Sequence, residues 1–152
     1  MEVQEYFQTF LHRTGKASGR AVFVNMFQAG ASETDVQAAI ISSPEYTANH
    51  PTADSFVTGL FNDVLGRQPR PQGLAVWEQR LSGMSRLQLA KAFLTSTEAD
   101  RHYVDELFLE YLNRSPSLAE EQSEVFALTH GVSIETVTEM LFASKEYYQQ
   151  AH

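Results

Sequence analysis

Internal repetition constrains this chain more than any other feature, because a sequence that repeats a short pattern folds as copies of one packing solution. Phe10-Leu11-His12-Arg13 recurs as Val64-Leu65-Gly66-Arg67 and as Tyr111-Leu112-Asn113-Arg114, with the arginines 54 and then 47 residues apart. Gly30-Ala31-Ser32 recurs as Gly83-Met84-Ser85 and Gly131-Val132-Ser133, at offsets of 53 and 48. Ser43-Pro44-Glu45-Tyr46 recurs as Ser96-Thr97-Glu98-Ala99 and Ser144-Lys145-Glu146-Tyr147, again 53 and 48 apart. Three markers in one order divide the 152 residues into units of about fifty, 1–51, 52–100 and 101–152, within a single helical domain.

Within each unit the apolar residues keep helical time. Counted from the serine of the second marker, position +4 is Val36, Leu89 or Val137, position +8 is Ile40, Phe93 or Leu141, and position +9 is Ile41, Leu94 or Phe142. That spacing lines one face of a helix. Ser32, Ser85 and Ser133 are placed as N-caps, accepting from an orphan N–H of the first turn, and Ser85-x-x-Gln88 has the capping-box form. Gly30, Gly83 and Gly131 suit a left-handed turn closing the helix before. Phe7, Phe61 and Phe108 stand four residues ahead of the first marker's leucine, on the same face. Prolines and glycines cluster at the markers and junctions, and only Gly59 falls inside an expected helix. No segment alternates with period two. The expectation is an all-α fold, a compact bundle of nine to ten helices built from three tandem three-helix units. The third helix of each unit is expected to run through the Ser-x-Glu marker, and the units to close on one another.

Composition narrows the chemistry. With 43% hydrophobic residues the chain is not of the disordered class, and no cysteine is present for disulfides, thiolate metal sites or a thiol nucleophile. The net charge of -8 opposes nucleic-acid binding, which needs Lys and Arg along the phosphates. No apolar run reaches the ~18 residues of a membrane span, and the acidic start lacks a signal-peptide pattern. The acidity is local: residues 101–152 carry nine acidic and three basic residues.

The segment Ser55-Phe56-Val57-Thr58-Gly59-Leu60-Phe61-Asn62-Asp63-Val64-Leu65-Gly66-Arg67-Gln68-Pro69, followed by Gly73-Leu74-Ala75-Val76-Trp77 and Leu81-Ser82-Gly83-Met84-Ser85-Arg86, resembles the domain of unknown function 4214 family. The likeness extends over 55–103, continues to Leu112-Asn113-Arg114-Ser115-Pro116, and is degenerate over 1–50. That resemblance implies tandem helical units in bacterial proteins, many secreted or at the surface, acting as non-catalytic modules without a cofactor. An acidic residue common in the family after the proline is absent, since Arg70 and Ser117 stand there. The Leu-Gly-Arg-x-Pro pattern is also similar, over a shorter stretch, to phycobilisome linker domains.

Candidate residues carry two readings each. Arg13, Arg67 and Arg114 could present forked donors to a glycan or headgroup, or hold the repeat together at helix C-termini by pairing with Glu45, Glu98 and Glu146. Repetition of the position favours the structural role. Trp77, Tyr103 and Arg70 could line a ligand groove, or Trp77 could be core at helical spacing. The five histidines His12, His50, His102, His130 and His152 are scattered, with Glu98 and His102 on one i, i+4 face, and no metal-ligand pattern appears. Glu120, Glu121 and Glu124 read as a solvated helix face rather than paired catalytic carboxylates. No nucleophile elbow or phosphate loop is present. The expected function is a non-catalytic binding, attachment or spacer module of a bacterial surface or secreted protein, meeting envelope polysaccharide or a neighbouring domain. The alternatives are a phycobilisome-linker-like scaffold and a carbohydrate-active enzyme using paired carboxylates.

Overall fold

In a computed structural model the chain is all-helical, and residues 3–151 are described, without the side chains of Lys145, Gln150 and Ala151. His152 lies outside the described residues. Eleven helices follow one another: α1 Val3–Leu11, α2 Ala17–Gln28, α3 Glu33–Ile41, α4 Pro44–Asn49, α5 Ala53–Leu65, α6 Pro71–Leu81, α7 Arg86–Leu94, α8 Thr97–Leu112, α9 Leu118–Thr129, α10 Ile134–Phe142 and α11 Lys145–Ala151. None of these is long and apolar enough to cross a membrane. The chain divides into two compact units, Met1–Leu94 and Thr95–His152.

The helix count exceeds the expected nine to ten because the Ser-x-Glu marker does not continue a helix. It starts one. Ser43 is the N-cap of α4 and accepts from Tyr46 N–H; Ser96 caps α8 and accepts from Ala99 N–H. Ser144 Oγ accepts from Tyr147 N–H at 3.2 Å in the same way. Each serine breaks the preceding helix by offering its hydroxyl to the backbone, the competition that makes serine poor inside helices and good at their starts. Ser32, Ser85 and Ser133 cap α3, α7 and α10 as expected, and Gln88 returns its side chain to Ser85 N–H at 2.9 Å. Gly30 and Gly131 take positive φ, 96° and 92°. Gly83 does not: α6 ends through Ser82 in the right-handed region, so this copy needs no left-handed residue.

In the first unit α3 packs against α7, α1 against α2, α3 and α4, and α5 against α6 and α7. The +4 and +8 residues are its centre: Val36, Ile40 and Leu89 are fully buried and Phe93 nearly so. Asp35 and Lys91 pair at 3.4 Å beside the α3–α7 contact. Phe61 and Trp77 set their rings edge-on to Phe93 at 5.1 and 4.9 Å between centroids. The second unit has its own core of Val104, Leu107, Phe108, Leu112, Val125, Val137 and Leu141, with Tyr103, Tyr111, Leu128 and Tyr147 packed on it. There the +9 residue Phe142 is 44% exposed, whereas its counterpart Ile41 is fully buried.

Gly59, the glycine inside α5, has a packing reason. A Cβ there would stand 2.7 Å from the His50 ring and 2.8 Å from the Tyr46 hydroxyl. Tyr46 is fully buried, and His50 stacks on it at 4.1 Å, so neither ring has room to retreat. Alanine would gain about 1 kcal/mol of helix propensity, but overpacking costs about 1–3 kcal/mol. Gly59→Ala is expected to lower the urea midpoint of the first unit; a midpoint equal to or above that of the parent would refute the packing account.

Candidate functional site

The polar residues gather at three places, and the recurring arginines define the first. Each follows a helix that ends in a left-handed residue: His12 (φ 54°), Gly66 (φ 66°) and Asn113 (φ 55°). This turn swings the arginine back over the helix it has just left. The guanidinium of Arg13 lies 5.2 Å from the Phe7 ring centroid, that of Arg67 4.9 Å from Phe61, and that of Arg114 5.4 Å from Phe108. One N–H of each arginine donates to the carbonyl of the next residue, Thr14, Gln68 or Ser115. Arg13 forks onto Glu45 at 2.9–3.1 Å. Arg114 forks onto both Glu146 and Glu120, with contacts of 2.7–2.9 Å. Arg67 and Glu98 belong to different units. The donors of Arg13 and Arg114 are thus spent inside the chain rather than aimed at a ligand.

Glu120 has more to do than the sequence reading assigned it. It completes a capping box with Ser117, and it holds Arg114. The Arg114 hydrogen bond, then the Ser117 backbone, draw its carboxyl down to about 2. The Ser117-x-x-Glu120 spacing carried that signal.

The second place is a buried chain in the first unit. The Tyr46 hydroxyl donates to Asp63 Oδ2 at 2.8 Å, and His12 Nε2 meets Asp63 Oδ1 at 3.0 Å. Only 6% of the Asp63 side chain is exposed, against 67% for His12. Burial pushes the Asp63 carboxyl up, opposed by its bonds to Tyr46 and by the nearby His12 and His50. Burial, with the charge of Asp63, pushes the Tyr46 phenol far above its ordinary range. A carboxylate orienting a histidine is the arrangement of a general base. Here the phenol proton is committed to the same carboxylate, so the group ties α1, α4 and α5 together. In the same unit the Tyr6 hydroxyl donates to the buried Glu33 at 2.5 Å.

The third place is an open cleft between α8 and α9 in the second unit, of about 260 Å³, lined by Thr97, Arg101, Glu121, Gln122, Val125, Phe126 and Thr129. Phe126 is 62% exposed, and His130 stacks on it at 3.8 Å between centroids. Arg101 Nε is 3.9 Å from Glu121 Oε1, a loose pair. The Glu121 carboxyl is pushed up, first by its hydrogen bond with the Asp105 carboxyl and then by burial. Burial also raises Glu124, with the charge of Glu120 adding to it. All three acids of this run keep partial exposure, and Glu124 is the one most shielded by burial.

Sequence reasoning singled out none of the cleft residues as a site. It had placed a possible groove at Trp77, Tyr103 and Arg70. Trp77 is half-buried beneath the Arg80 guanidinium, 4.6 Å from its ring, and Arg70 is exposed at the N-cap of α6. Tyr103 lies in the other unit, with its hydroxyl 3.5 Å from Thr138 Oγ1. His102 pairs with Glu106 at 3.1 Å, which raises the imidazole and lowers the carboxyl. Among the described residues, no three His, Asp or Glu come together as a metal site.

Residues 38–102 match the model of the family described as Domain of unknown function (DUF4214). The resemblance read from the markers is shown over that segment, which runs from α3 into α8 and includes the Gly66-Arg67 turn. No curated protein and no solved structure matches the chain.

Asp100, in the first turn of α8, offers a test of the second unit. Burial alone raises its carboxyl from the ordinary 3.8 to about 6. A raised carboxyl favours the folded state while protonated, and that contribution is lost as pH climbs through the folded value. Wild-type stability is expected to fall from pH 4 to about 6 through this group, and Asp100→Asn should flatten that stretch in thermal melts followed against pH. An unchanged slope would show that Asp100 does not titrate in this way.

Proposed function

We propose that this chain is a non-catalytic attachment or spacer module of a bacterial surface or secreted protein, organised as three tandem helical units, and that its ligand is an envelope glycan. The recurrence of one left-handed turn, one Arg-over-Phe contact and one serine cap at three places supports the tandem organisation. The cleft between α8 and α9 carries the glycan reading. An exposed aromatic ring, two threonine hydroxyls, an amide and a charged pair surround it. A sugar presents an apolar ring face edged with hydroxyls, and such a mixed wall meets both.

The size of the cleft sets the mode of binding. At about 260 Å³ it falls just below the ~300–1,000 Å³ of typical ligand pockets, so it holds about one ring of a chain. One such contact is weak, and firm attachment then needs several sites on one polymer.

Titration of the isotope-labelled chain with neutral and charged envelope oligosaccharides at millimolar concentration tests the proposal. Amide shifts are expected at Arg101, Gln122, Phe126 and Thr129, and Phe126→Ala should weaken binding about tenfold without unfolding, since exposed positions contribute little to stability. Absence of shifts in this cleft with every oligosaccharide would end the glycan reading.

A further inference from the structure

The exposed aromatic of the cleft has an apolar companion further along α9. Thr97 at the start of α8 and Thr129 at the end of α9 line one cleft, while Arg114, just past α8, holds Glu120 in the first turn of α9. The two helices therefore run antiparallel, and their seam leads from the cleft toward the turn at 113–117. Leu118 begins α9 at that end and is 71% exposed. It precedes Gln122 by four residues, Val125 by seven and Thr129 by eleven, so it stands on their stripe of the helix. Phe126 follows it by eight residues, about 12 Å along the axis at the rise of an α-helix.

Neither side chain is needed by the fold. Four residues beyond the recurrent arginines stand Ala17, Pro71 and Leu118, and twelve beyond stand Asn25, Gln79 and Phe126. All six are exposed. Helices α2 and α6 thus form with a small side chain, a proline or an amide where α9 sets a leucine and a phenylalanine. Apolar side chains grouped along a polar-walled groove mark a surface for binding. Charge restricts what can lie there. Residues 95–152 hold three basic and eleven acidic residues, which is the whole net charge of -8, since residues 1–94 hold eight of each. In the cleft wall Arg101 faces Glu121 at 3.9 Å, and Arg114 is taken up by Glu120 and Glu146. A phosphate- or uronate-bearing polymer would bring repeated negative charge within a Debye length of ~8 Å of this unit, where like charges repel.

We propose that the α8–α9 seam binds an uncharged polysaccharide lengthwise: one ring rests on Phe126 within the cleft, and the chain runs along α9 to a second apolar contact on Leu118. This rests on the glycan-binding role and gives it a charge class and a direction. Thr97, Gln122 and Thr129 meet the hydroxyls at the cleft, each able to donate and to accept. Leu118 covers the apolar face of a later ring, a contact made only by a chain long enough to reach it. A neutral chain carries no charge for the acidic unit to repel, so its affinity is insensitive to salt.

Calorimetry and amide shifts on the whole chain at neutral pH compare uncharged oligomers of glucose and of N-acetylglucosamine, in short and longer forms of about two and about five rings, with a uronate of the longer length. At least one of the longer neutral oligomers is expected to bind about tenfold more tightly than its short form. It should add shifts at Leu118 and Ala119 to those of the cleft and bind equally at low and high salt, and the uronate should not bind. Leu118→Ala is expected to reduce the longer oligomer to the affinity of the shorter and leave the shorter unchanged, whereas Phe126→Ala should weaken both. Both positions are exposed, and Ala17 and Asn25 occupy the matching places in α2, so neither variant disturbs folding. Longer neutral oligomers that bind no more tightly than the shorter, or that Leu118→Ala leaves unweakened, would overturn the lengthwise site. A uronate bound as tightly as they are would overturn the charge class. In both cases shifts in the cleft would keep the glycan reading; no cleft shift with any oligomer would overturn both.

Discussion

The contact on which the structure turns is a guanidinium laid over a phenylalanine at the end of a helix. It needs three residues at fixed spacing: Phe7, Phe61 or Phe108 buried in the core, a left-handed residue five further on, and the arginine after that. The left-handed residue reverses the chain, and the arginine then covers the ring's solvent side while bonding the next carbonyl. A cation over a ring is worth ~0.5–1 kcal/mol at an exposed site, so no single copy is decisive. Its consequence is geometric. The turn leads in each copy into the next helix, α2, α6 or α9, on which Phe23, Trp77 and Val125 stand.

These second helices are where the copies diverge. Neither α2 nor α6 buries any residue fully, and α9 buries only Val125. Helices that bury so little tolerate different sequences at matching positions, and α9 carries Glu120, Glu121 and Glu124 where α6 carries none of these acids. One of these carboxylates strengthens the turn, and another faces α8 and helps to make the cleft.

Most of the helical layout could be read from spacing. The +4 and +8 positions are buried in every copy, and the serines of the second marker are caps, because both patterns are local and local geometry fixes them. The misreadings have a common cause. Ser96 and Ser144 lie in otherwise helix-compatible stretches, where the balance between continuing a helix and capping a new one depends on how the next segment packs, whereas Pro44 already marks the break at Ser43. Gly59 could be noticed but not explained until His50 and Tyr46 were seen lying against it.

By itself, then, the sequence determined an all-helical chain with three recurrent turns, a likeness over residues 38–102 to one family model, and an excess of acid in its last third. These follow from periodicity, capping chemistry and charge, each of which acts within a few residues. Tertiary structure decided that Arg114 takes Glu120 as well as Glu146, that Asp63 gathers Tyr46 and His12, and that α8 and α9 leave a cleft with Phe126 at its rim. Such contacts join residues far apart in the chain, and their existence depends on how whole helices pack, which no local pattern encodes.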